Sequence, residues 1–330
     1  MAGKRTWTRA AGAVAAMVLL VVSAFPSDVR RVRARDIHPE LRTSREAELG
    51  LTAGMLYDRE FIYVLDRSDH AVRVYEKNGR FRKTIGRRGQ GPGEFNTPSG
   101  FSILEGKLYV ADSANARIQI LTRDGDYLSS LKVPFRPADV AALTRDVIAV
   151  SYLQSFSGEK VNMIHGFSST GVKLWECLEP ALTGDSVFDT MVNRFLILPG
   201  GPGEFLAVFK SEQAPLRRFA HDGKLIASPA PPRGFPLKGL TLPLPGRKRK
   251  LTGFCWHAAF SDGRLFVLSP DRTEEGDLGP GFEVYVFVPG GPLEAVIQLP
   301  DHVVRISVDG NRIYAVDADR ILRIYQFEGL

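Results

Sequence analysis

The apolar residues of this chain come in short unbroken runs, not in a helical or strictly alternating pattern. Six runs of four recur: Ile62-Tyr63-Val64-Leu65, Leu108-Tyr109-Val110-Ala111, Val147-Ile148-Ala149-Val150, Phe205-Leu206-Ala207-Val208, Leu265-Phe266-Val267-Leu268 and Ile313-Tyr314-Ala315-Val316. Their second residues lie 46, 39, 58, 60 and 48 apart, a period near 50 with insertions. A four-residue run rich in β-branched and aromatic side chains predicts a strand buried on both faces. Stacked sheets supply that environment.

Each run has strands before and after it. In the second unit the spacing predicts strands over residues 100–104, 108–111, 117–121 and 127–133. Asn78-Gly79, Asp124-Gly125 and Asp222-Gly223 fall between third and fourth strands, where such pairs supply the positive φ of tight hairpins. Six four-stranded antiparallel units predict an all-β, six-bladed β-propeller, a ring that leaves only short sheet edges. The last unit runs out of chain after a third strand near residues 321–327. Residues 29–37 are therefore expected to supply its fourth strand and close the ring, which removes two open edges.

The second unit also carries a motif. Ile85-Gly86-Arg87-Arg88-Gly89-Gln90-Gly91-Pro92-Gly93-Glu94-Phe95-Asn96-Thr97-Pro98 is followed by Tyr109-Val110-Ala111-Asp112-Ser113-Ala114-Asn115-Ala116-Arg117-Ile118-Gln119. This closely resembles an NHL repeat, a unit of six-bladed propellers. The first unit keeps Asp66 and Asp69, and the last keeps Asp317, Asp319 and Arg323, while the middle three keep only the apolar spacing. The motif residues read as scaffold. Gly86 and Gly89 let the connection turn sharply. Phe95 plugs between blades, Pro98 opens the next strand, Asp112 and Asn115 bond turn amides, and Arg117 bridges to a turn carboxylate. A second Gly-Pro-Gly-Glu-Phe at 201–205 directly precedes an apolar run and reads as a hairpin turn.

Strand order puts the long insertions on one face: residues 87–97, 179–191, 229–252 and 270–281. Long loops on a rigid scaffold are the usual place for function. The Pro-rich insertion 229–252, read as a loop, contains Arg247-Lys248-Arg249-Lys250, and the insertion after it carries Asp271, Glu274, Glu275 and Asp277, which could pair with it. Candidate binding residues are Arg87 and Arg88 for anionic groups, the 247–250 cluster for an acidic partner, and Trp256 or His257 at the channel mouth.

Charge and composition narrow the classes. Forty-three Lys and Arg against 37 Asp and Glu give a net charge of +6, and three of those charges, Lys4, Arg5 and Arg9, precede an apolar run over residues 10–24. That segment, residues 1–24, reads as a cleaved signal peptide or an uncleaved N-terminal anchor, with residues 25–330 as a single propeller domain. The balance that remains does not imply nucleic acid. Cys177 and Cys255 have no metal-site spacing and read as two separate thiols. None of the six histidines forms a zinc-type pair, no Gly-x-Ser-x-Gly element is present, and no cofactor is expected; a divalent cation in the channel has no ligand pattern behind it. The leading expectation is an extracytoplasmic binding or scaffold propeller for a protein, peptide or glycan. The alternatives are a metal-dependent hydrolase or lyase with its site at the channel mouth, and the sensor domain of an anchored protein.

Overall fold

The computed structural model describes residues 29–330 apart from 44–47, 153–160, 212–214, 245–246, 275 and 329; the targeting segment expected at 1–24 lies outside the described residues. Four blades are separate four-stranded antiparallel sheets. Their innermost strands are Thr52–Tyr57, Pro98–Leu104, Pro137–Ala142 and Phe195–Pro199. The other two blades share one strand, Leu293–Asp309. Its first half pairs with Gly281–Phe287 as the outer strand of blade five, and its second half pairs with Arg312–Asp317 as the inner strand of blade six. The fifth blade is completed inward by Arg264–Leu268 and His257–Ser261.

The apolar runs fall on the second strand of each blade, and their continuity has a simple cause. Alternate residues of a strand point to opposite faces, and each face of a blade packs on a different neighbour. In blade four, Leu206 and Val208 pack towards blade five, while Phe205, Ala207 and Phe209 pack towards blade three. In blade one, Ile62 and Val64 pack towards blade six, and Tyr63 and Leu65 towards blade two. Six hydrophobic clusters result, one at each seam, so the ring is closed.

Closure uses the N-terminal segment as expected, with an addition. Arg35–Asp36 pairs antiparallel with Leu322–Gln326 as the outer strand of blade six, and the Ile37 amide extends the pairing to the Ile324 carbonyl at 3.0 Å. The preceding strand, Arg30–Arg33, runs parallel to residues 295–298 on the outer edge of blade five. The segment thus spans two blades. Asp36 lies 3.9 Å from the Arg323 guanidinium, itself bonded to Asp317 at 2.6 Å.

The insertions emerge on one face, and two of them are more ordered than a loop. Residues 229–252 contain an antiparallel hairpin of Lys238–Leu244 and Arg247–Gly253, so the basic cluster lies on a strand, not on a loop. Strand pairing satisfies the backbone of the insertion. The insertion between blades three and four holds a short helix, Ser186–Val192, capped by Asp185. Gly200–Glu204 backbone bonds make the second Gly-Pro-Gly-Glu-Phe a hairpin turn. No helix among the described residues is long and apolar enough to cross a membrane.

Candidate functional site

The motif of blade two forms a sealed polar joint. Asp112 is fully buried and accepts from the Asn96 amide at 2.6 Å, Arg117 Nε at 2.7 Å, Asn115 Nδ2 at 2.9 Å and Gln119 Nε2 at 3.2 Å. Arg117 and Asn115 also donate to the carbonyls of Gly91, Glu94 and Gly89. These bonds staple the glycine-rich loop onto the turn after the second strand, instead of staying within one turn as the sequence suggests. Phe95 is fully buried at the seam of blades one and two. Gly86 sits at φ +83°, and a Cβ there would lie 2.2 Å from the Phe95 ring. All of this is scaffold geometry.

The sequence-derived binding residues separate in space. Arg87 is exposed and ion-paired with Glu94 at 2.9 Å, and Arg88 is exposed beside it. Residues 247–250 belong to the second strand of the inserted hairpin. The acidic insertion engages the start of that hairpin: Asp271 accepts from Lys238 Nζ at 2.8 Å, and Arg272 donates to the Gly239 carbonyl. Cys177 and Cys255 are both free thiols. His257 lines the channel, and Trp256 packs beside it at the seam of blades five and six.

The channel runs down the middle of the ring between the six inner strands. Towards the short-turn face it widens into a mostly apolar cavity of about 260 Å³, lined by Tyr57, Phe101, Leu198, Phe260 and Val308 among others. Towards the insertion-bearing face it opens into a second cavity of about 330 Å³, which shares Ala53, Asp139 and Leu196 with the first. The second cavity is lined by three cations, Arg194, Lys210 and Arg305, and by the carboxyl group of Asp139. None of these four is conspicuous in the sequence.

A repeated backbone device places two of them. The first strand pair of blades one, two, three and six carries the same irregularity, one extra residue between Thr52 and Gly54, Pro98 and Gly100, Pro137 and Asp139, and Val303 and Arg305. A bulge re-aims the residue that follows it. The four equivalent positions are therefore Gly54, Gly100, Asp139 and Arg305. Gly100 makes room for one of the charged side chains, since a Cβ there would lie 2.0 Å from Asp139 Oδ1, whereas a Cβ on Gly54 would meet the Phe101 ring at 2.9 Å.

Each charge is held in a distinct way. Asp139 accepts from the Val140 amide at 2.9 Å and the Ile197 amide at 3.3 Å. Its enclosure pushes its pKa up to about 7 despite those bonds and the nearby Arg305 and Lys210. Arg305 is pinned across the seam of blades six and one, donating to the carbonyls of Val304 at 2.7 Å, Thr52 at 2.8 Å and Ala53 at 3.2 Å. Burial brings it down to about 10, helped by Arg194. Lys210 follows the second strand of blade four, its ammonium 5.8 Å from the centre of the Trp256 ring. Burial, Arg305 and Arg194 bring its pKa down to about 8. His257 accepts from the Ile306 amide at 3.3 Å, and burial next to Arg305 and Lys210 holds it well below the usual histidine range, so it is neutral. Arg194 extends from the end of the helical insertion, which is fixed by Asp189 and Asn193.

A six-bladed ring with a polar bowl on its insertion-bearing face defines the chain as a β-propeller protein. A family described as a 6-bladed beta-propeller matches residues 39–170. The fold is similar to that of a Bacteroides fragilis protein described as exported, with a TM-score of 0.58 at 10% identity over 91% of this chain and 95% of that one. It is also similar to virginiamycin B lyase from Staphylococcus aureus, with a TM-score of 0.51 at 11% identity over 91% of this chain and 99% of that one. No curated protein matches the sequence.

Proposed function

We propose that this protein is an extracytoplasmic binding propeller that holds the acidic group of a peptide or glycan in the bowl at its channel mouth. The observation that carries this reading is the convergence of Arg194, Lys210 and Arg305 on one cavity of about 330 Å³. Arg305 and Arg194 both disfavour the charged form of Lys210 and Asp139 opposes them, so three cations against one carboxyl group leave the bowl with net positive potential. A bound carboxylate, sulfate or phosphate would relieve it. A volume at the small end of ligand cavities suits one acidic residue or uronic acid at a time, with the rest of the ligand lying over the insertions. The targeting segment at 1–24 and the exported description of the Bacteroides fragilis relative support a location outside the cytoplasm.

Isothermal titration with oligogalacturonate, a glutamate-rich peptide and their neutral counterparts tests the reading. The acidic probes are expected to bind, more weakly as salt rises, and at least tenfold more weakly in Arg194→Ala/Lys210→Met. Equal affinity for neutral probes, or an unchanged double variant, overturns it.

A further inference from the structure

We propose that Lys210 is a covalent capture site, its amine condensing with the carbonyl carbon of a small aldehyde- or keto-acid whose carboxylate rests on Arg194 and Arg305. This rests on the reading of the bowl as an anion site and goes one step beyond it.

Lys210 differs from the other described lysines. Lys83, Lys173, Lys224 and Lys238 are each in an ion pair with Asp124, Glu176, Asp222 and Asp271, and Lys77, Lys107, Lys132 and Lys250 are exposed. Lys210 lines the bowl, rests against the Trp256 ring, and among the described residues has no oxygen acceptor for its amine. Its neighbours in the cavity are two guanidinium groups and one carboxyl group. A lysine enclosed beside other cations is the arrangement that yields a nucleophilic amine.

Imine formation needs the neutral amine. An ordinary lysine at pH 7.4 is neutral in about one molecule in a thousand. Lys210, brought down to about 8, is neutral in about one in five. In the step itself the nitrogen lone pair bonds to the carbonyl carbon, and the carbonyl π pair moves to oxygen, which takes a proton. The resulting carbinolamine, whose hydroxyl proton came from the nitrogen, loses that hydroxyl as water after a second protonation, and the nitrogen gives its remaining proton to the Asp139 carboxylate, leaving a C=N bond to Nζ. Amine and carbonyl give imine and water, with no oxidant or reductant. Asp139, whose pKa of about 7 keeps it partly protonated at neutral pH, lines the same cavity and supplies the proton for the departing hydroxyl. The carboxylate of the ligand adds a second counter-ion, beside Asp139, for the two guanidinium groups.

The test uses the intact protein. Glyoxylate, which carries both groups, is incubated with it at pH 7.5 in sodium cyanoborohydride, which reduces any imine to a stable carboxymethyl-lysine mapped by peptide mass spectrometry. Lys210 is expected to be modified at least tenfold faster than any surface lysine. Acetaldehyde, which lacks the carboxylate, is expected to show a smaller preference for Lys210 than glyoxylate does, because only the neutral amine then favours that site, and acetate to protect Lys210 against glyoxylate. Lys210 labelled no faster than the surface lysines, with oligogalacturonate binding intact by titration, overturns the capture step alone. Loss of both labelling preference and binding overturns the bowl as an anion site as well.

Discussion

Replacing Asp112 with alanine tests whether the motif of blade two is scaffold. The carboxylate is fully buried and accepts four bonds, the strongest from the Asn96 amide at 2.6 Å and Arg117 Nε at 2.7 Å. Taken singly, bonds to a charged group contribute about 1.5–3 kcal/mol each, but four on one group are not independent. The larger consequence concerns Arg117, whose side chain is only 14% exposed. Removing one partner of a buried pair leaves an uncompensated charge, a loss of about 3–5 kcal/mol. Arg117 keeps the Gly91 and Glu94 carbonyls, which holds the expected loss within that range. For a domain of this size each kcal/mol shifts the melting temperature by roughly 2 °C, so a drop of about 6–10 °C is expected. Urea unfolding by tryptophan fluorescence, with Asp112→Asn in parallel, measures it. Asparagine preserves the shape but turns an amide donor or a neutral oxygen towards Arg117, so it should recover little. A loss below about 1 kcal/mol in the alanine variant would refute the scaffold assignment, and unchanged stability with lost ligand binding would place the motif in the site instead.

Two further outcomes follow from the ring and the bowl. Removing residues up to 37 deletes both N-terminal strands and the partly buried Val32 and Ile37; at about 1.5–3 kcal/mol for each fully buried aliphatic side chain, a loss near 3 kcal/mol is expected, with dimers on size-exclusion chromatography through the bared edges, and a truncated monomer of full stability would contradict the closure. The pH dependence of stability should carry two opposite contributions. Asp139, raised to about 7, binds more protons folded than unfolded between about pH 4 and 7, so its contribution falls as pH rises through that window, and Asp139→Asn should remove the decline. Lys210, lowered to about 8, binds fewer protons folded than unfolded from about pH 8 to 10.4, so its contribution rises there, and Lys210→Met should flatten that limb; denaturant titrations across pH 4–10 read both.

The ring is legible in the sequence because burial on two faces forces apolar residues at consecutive positions, even in blades that have lost every motif residue. Ala149 is as buried as Tyr63 and keeps the pattern without any resemblance to it. The bowl is not legible by the same route. Lys210 reads as an ordinary charge ending a strand, and Asp139 as a polar break after a proline. The missing signal is register: Asp139 and Arg305 stand where blades one and two have Gly54 and Gly100, and a charged residue at a glycine position of an inner strand points into the channel. Trp256 and His257 are reachable from sequence only because they open an inner strand. Arg194 depends on a helical insertion with no counterpart in the other blades, so no repeat comparison could have placed it.

The N-terminal segment gives the ring a defined response to tension. If the chain is held through the residues before Val29, a pull on that tether runs along Arg30–Arg33, which is parallel to residues 295–298. The hydrogen bonds between parallel strands lie across the direction of pull and are strained together, in shear, instead of opening one after another as in a peeled hairpin. The partner strand continues without interruption into the inner wall of blade six, so the force is delivered to a strand that belongs to two sheets at once. A tethered ring would therefore resist a steady drag, and the strand that bears it also carries Arg305, so tension on the tether reaches the wall of the bowl.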